Sequence, residues 1–135
     1  MSVTVAAGAA IVPGTESAFQ GTYHCFNDAS KTVTIAASDP SNARKDIIVA
    51  KVQDQAYSGA TNAWSLVAVT GTPSGSPVEP ALPANAIKLA TVNVAAGATS
   101  ITNANITNVT TQARRTDNVW QQVAAGSLYQ WYNSA

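Results

Sequence analysis

Apolar and polar positions alternate along this chain in short runs, a period of two that specifies half-buried strands. Val3 and Val5 alternate with small or polar neighbours, and Pro13-Gly14 punctuates the run they begin. The opening MSVTVAAGAAIVPG is therefore expected to form a strand. It has some Ala-x-Ala character but lacks a basic stretch and a continuous apolar core, which argues against a signal peptide. Residues 22–26 alternate again, with Tyr23 and Cys25 on one face and His24 on the other. Residues 27–30 (NDAS) predict a turn and residues 32–35 (TVTI) the returning strand of a hairpin. Residues 39–42 (DPSN) predict a second polar turn.

Residues 46–52 (DIIVAKV) are the most continuously apolar run of the chain. The run is short for a helix and rich in β-branched residues, so it predicts a central strand covered on both faces. After a turn at residues 58–62, residues 64–70 (WSLVAVT) supply its expected antiparallel partner, because the connection suits a hairpin and is short for a helical crossover. Residues 87–94 (IKLATVNV) predict a further strand, and the Asn-rich residues 101–109 a loop or short turn. The near-repeat of VTVAAGA at residues 3–9 and VNVAAGA at residues 92–98 reads as two strand exits where Gly permits a positive φ. Past Arg114-Arg115-Thr116-Asp117, the tail turns at Gly126, and a final hairpin is the simplest reading.

Between the strands at residues 64–70 and 87–94 lies GTPSGSPVEPALPANA, which holds four of the six prolines, Pro73, Pro77, Pro80 and Pro83. As a linker it would leave two halves with neither helix, disulfide nor metal site to support so small a core. An ordered strap inside one all-β unit is the expectation, since proline lowers the entropy lost on ordering. The 135 residues suit one domain: a single β-sandwich or small β-barrel, mainly antiparallel, with residues 1–113 as its core and residues 114–135 as an aromatic C-terminal segment.

Charged residues are only 10% of the chain, against roughly 25% in an average soluble domain, and seven basic side chains cancel seven acidic ones. That balance argues against nucleic acid or an anionic membrane as partner. No stretch approaches the roughly 20 apolar residues of a membrane helix. With so little charge repulsion, self-association is expected. The one cysteine, Cys25, has no internal disulfide partner, and no Cys/His spacing suggests a metal. Without a secretory signal, the sequons at Asn105 and Asn108 are expected to be idle.

Candidate chemistry is sparse. His24 and Cys25 point to opposite faces of one strand, which spoils a dyad. The seven acids are scattered, mostly in turns, rather than paired across a cleft. Asp46 opens the apolar strand and reads as a strand-end residue that satisfies a loop amide. No phosphate-binding glycine motif is present. The chain is not expected to be an enzyme or to hold a cofactor or metal. Trp120, Tyr129, Trp131 and Tyr132 remain; alternation splits them between two faces, and core or subunit packing is their expected role over a sugar-stacking platform. With the strap residues Pro73, Pro77, Pro80, Leu82 and Pro83 they make the candidate interface.

Several segments together carry a likeness: Asp46 before the apolar strand, the Tyr57-Ser58-Gly59 turn, the TGTP exit at residues 70–73, the PALPANA strap at residues 80–86, and the AGATSI ending at residues 96–101. In this order they resemble a β-rich domain of structural proteins of tailed bacteriophages, especially long-tailed phages of actinobacteria. The resemblance covers about three quarters of the chain, and the strap is its most specific part. It implies a non-enzymatic virion component: a minor tail, baseplate or host-attachment protein, oligomeric, in contact with other tail or capsid proteins. It carries over no catalytic residue. A trimer is favoured by analogy with other phage appendages. Such domains usually sit inside longer tail proteins, so the chain is expected to be either a fragment of one or a stand-alone protein, and a short stand-alone copy equally suits a capsid decoration or head-fibre protein. A carbohydrate-binding module for host-surface glycans is a further alternative. The expected location is the virion exterior, tail or capsid, after synthesis in the host cytoplasm.

Overall fold

In the computed structural model of the protein, which describes residues 1–109, the apolar run becomes the middle of a four-stranded antiparallel sheet. Its strand β5 (Arg44–Gln53) pairs with β6 (Ala63–Val69) on one side and β7 (Ala86–Val94) on the other, and β8 (Ile106–Asn108) edges β7. Both faces of β5 are covered, as its unbroken hydrophobicity requires. Ile48, Ala50 and Val52 point inward and Ile47 and Val49 outward, every one of them buried.

The inner face is covered by a long, bent hairpin. Strand β1 (Ser2–Val5) pairs with β4 (Lys31–Thr34), and β2 (Gly8–Pro13) pairs with β3 (Thr22–Asn27). The expected hairpin of residues 22–26 with residues 32–35 therefore does not form. Those strands run on from one another and each pairs with a different part of the opening segment, which is two strands rather than one. At the bend, Ala6 and Ala7 oppose Asp28, Ala29 and Ser30, so one side carries an extra residue, a bulge that bends and twists the pair. Asn27 fastens it: its side chain accepts from Gly8 N at 3.1 Å and donates to Ala6 O at 3.1 Å and Ala29 O at 2.6 Å. The two halves of the hairpin then lie over two apolar clusters, Val3, Val33 and Ile35 against Ile48, Val92 and Val94, and Val12 and Cys25 against Ala50 and Val52. Among the described residues the sheets are open and do not close into a barrel.

The outer face is crossed by the proline-rich strap. Gly71 N donates to Asp46 Oδ1 at 2.9 Å, and Ser74 N to Ala43 O at 2.9 Å. Glu79 binds Lys88 Nζ at 2.7 Å and Thr91 Oγ1 at 2.6 Å. Lys88 and Thr91 are three apart, a spacing that ordinarily puts strand residues on opposite faces. They share the outer face because β7 carries Leu89 as an extra residue, where the pairing with β5 slips between Ile48 and Val49. The strap ends at Asn85, whose φ of 51° is left-handed. Thr15 N donates to its Oδ1 at 2.8 Å, its Nδ2 donates to Glu16 Oε2 at 2.6 Å, and its carbonyl accepts from Val52 N at 2.8 Å. Strap, hairpin loop and central strand thus meet at one residue.

Two smaller expectations need correction. Of the repeated glycines only Gly97 has a positive φ, 64°, while Gly8 lies within β2. Residues 101–109 are more ordered than a loop: a 3-10 turn, Asn103–Asn105, leads into β8, whose pairing with β7 gives these polar residues their backbone partners.

Candidate functional site

Asp46 behaves as a structural anchor. It is fully buried two positions inside the strand start, on the same face as Arg44, whose Nε donates to its carboxylate at 2.9 and 3.2 Å. The rest of the guanidinium donates to Ala37 O at 2.6 Å and Ala36 O at 2.8 Å. With Gly71 N on the same carboxylate, the pair ties the strap and the segment before β5 to the central strand. The loop amide expected from the sequence is that of Gly71; the partner Arg44 was not foreseen, although two charges two residues apart in a strand share a face.

Cys25 is buried in the core and His24 is exposed on the opposite face of β3, as alternation requires. Burial pushes the Cys25 thiol up from its ordinary pKa. Among the described residues no cluster of three or more His, Cys, Asp or Glu side chains could hold a metal ion, and no helix is long and apolar enough to cross a membrane.

Two surfaces present apolar side chains to solvent. On the outward face of the β2–β3 hairpin, Ile11 is 61% and Phe26 65% exposed, with His24 opposite Ile11 and its ring centroid 6.2 Å from that of Phe26. Phe19, in the connecting loop, is almost wholly exposed. On the strap, Pro73, Pro77, Pro80 and Pro83 are half-buried against the sheet, while Val78 and Leu82 face outward. The sequence-based candidates Trp120, Tyr129, Trp131 and Tyr132 lie outside the described residues. The Ile11–Phe26 face went unnoticed in the sequence, although Ile11 and Phe26 occupy the positions of β2 and β3 that alternate with buried Val12 and Cys25.

Where β3 passes the far end of the β5–β6 hairpin, a cleft of about 530 Å³ opens. Thr22 to Cys25 contribute one part of its lining, and Val52 to Asp54 with Asn62 to Trp64 the other. Tyr23 donates its hydroxyl to Asp54 Oδ2 and accepts from Gln20 Nε2 at 2.9 Å. The carboxylate it serves holds the Tyr23 proton more tightly and raises its pKa. Asp54 Oδ1 accepts from Ala56 N at 2.8 Å, and Lys31 Nζ lies 5.0 Å from the centre of the Trp64 ring.

Comparison with family models, with curated proteins and with solved structures gives no match for this chain. The all-β, antiparallel class rests on the structure itself.

Proposed function

We propose that the chain is a non-enzymatic structural protein of a bacteriophage particle, a self-assembling tail or baseplate component concerned with host attachment. The sequence likeness described above supplies the phage context. The observation that carries the assembly reading is the exposed Ile11–Phe26 face. Large apolar side chains there are held on paired strands and so lose little entropy on being covered. The strap adds Val78 and Leu82 on a backbone already fixed by proline. A chain with 10% charged residues and no net charge puts little repulsion in the way of such contacts.

Light scattering on purified full-length protein at micromolar concentration tests this reading. A closed homo-oligomer is expected, with three times the mass of one chain as the favoured result. Ile11→Asp and Phe26→Asp should each weaken association about 10- to 100-fold, since each side chain is worth roughly 1.5–3 kcal/mol when covered. A monomer at all concentrations, or an oligomer indifferent to both substitutions, overturns it.

A further inference from the structure

We infer that the cleft beside Trp64 is a binding site for a neutral oligosaccharide. It brings together the features that sugars require: an aromatic surface for the apolar face of the ring, and converging groups that can both accept and donate to hydroxyls. Trp64 and Tyr23 supply the aromatic part, and Asp54, Gln53 and Asn62 the polar part. Its volume of about 530 Å³ falls within the range of small-molecule sites.

The hydrogen bonding inside the cleft is unevenly used. Asn62 accepts through Oδ1 from Gln55 N at 2.8 Å, and Gln53 Oε1 takes only a long contact of 3.4 Å from Thr61. The amide NH₂ groups of both side chains have no protein partner among the described residues, so both can donate to a ligand. Asp54 is the opposite case. Its two oxygens are held by Ala56 N and the Tyr23 hydroxyl, which fixes the carboxylate in place while leaving lone pairs for a sugar hydroxyl. The fixed carboxylate disfavours an anionic ligand, no Lys or Arg among the described residues lines the cleft, and Lys31 beside it is engaged with the Trp64 ring. A neutral ligand is what this charge pattern suits. Lys31 is an exposed, flexible side chain that a stacking sugar can displace.

The cleft deepens the host-attachment reading and rests on it only for its biological setting. It adjoins the Ile11–Phe26 face on the outward side of the same hairpin, with His24 common to both.

The test uses the full chain, fluorescently labelled, on an array of immobilised neutral gluco-, galacto-, manno- and N-acetylglucosamine oligomers. Tryptophan-fluorescence titration with the best oligomer in solution follows. Binding with a change in tryptophan emission is expected. The paired substitution Gln53→Ala/Asn62→Ala, at exposed positions that leave the core intact, should weaken it at least about tenfold. Trp64→Ala should abolish it, and light scattering should show both variants still assembled. Failure to bind any oligomer overturns the inference, as does binding that Gln53→Ala/Asn62→Ala leaves unchanged. Since assembly is read separately, loss of the sugar site and loss of the assembly reading are distinguishable.

Discussion

Replacing Asp46 by Ala should be among the most damaging single changes to this protein. The carboxylate is fully buried and has two partners, Arg44 and the Gly71 amide. Removing one member of a buried ion pair costs roughly 3–5 kcal/mol, because the remaining charge stays buried. Arg44 keeps two carbonyl acceptors, Ala36 O and Ala37 O, which puts the loss at the lower end of that range. The orphaned Gly71 amide works in the other direction, so about 3–4 kcal/mol is the expected net cost. Asp46→Asn, which retains an acceptor for both donors, should cost about half as much. The double change Arg44→Met/Asp46→Leu should cost less than Asp46→Ala, since it leaves no unpaired charge. Urea titration followed by tryptophan fluorescence and far-UV circular dichroism measures all three. An Asp46→Ala variant within about 0.5 kcal/mol of the parent would refute the anchor.

Gly71→Ala should destabilise by about 2 kcal/mol or more, since a Cβ there would lie 2.0 Å from Lys45 O, whereas Gly75→Ala, with nothing within 4 Å, should be neutral or slightly stabilising in the same titration. Asn85→Gly keeps the left-handed backbone and the backbone bond to Thr15 Oγ1 but loses the side-chain ties to Thr15 and Glu16; Asn85→Ala loses those ties and strains the backbone, and should melt at a lower temperature than Asn85→Gly in calorimetry. The Lys88 ammonium holds the Glu79 pKa below its ordinary value, so this contact stabilises above about pH 4.5 and fades as pH falls through the depressed value. Glu79 is more than a third exposed, so the effect should stay under about 1 kcal/mol, visible as a stability-versus-pH curve that is flatter in Glu79→Gln than in the parent. Cys25, buried and with its thiol pKa raised, should resist a thiol reagent at pH 8 in buffer and react fully in denaturing urea.

Strand β5 was readable from its sequence because a strand covered on both faces has to be apolar throughout, and β6 followed from the short turn before it. Pairing in the N-terminal half was not readable. Residues 27–30 look like a hairpin turn, yet Asn27 ends β3 and residues 28–30 form one side of a bulge, and what decides between the two is the partner strand and the Asn27 side chain that bridges the bend. The slip at Leu89 was equally hidden, for it depends on pairing between β5 and β7, and with it the chance for Glu79 to meet both Lys88 and Thr91. The strap was legible as an ordered crossing from its prolines, but its fastening points were not. As for the candidate sites, the aromatic tail drew attention by composition, while the cleft at Trp64 joins residues from β3 and the β5–β6 hairpin that only the packing of two sheets brings together.

The proposed virion role is tested most directly by locating the protein on intact phage particles by electron microscopy with a gold-labelled antibody against the chain. Label at the tail tip or baseplate is the expected result. Label spread over the capsid faces would move the protein to the decoration or head-fibre class, and particles that carry no label at all would contradict a virion role.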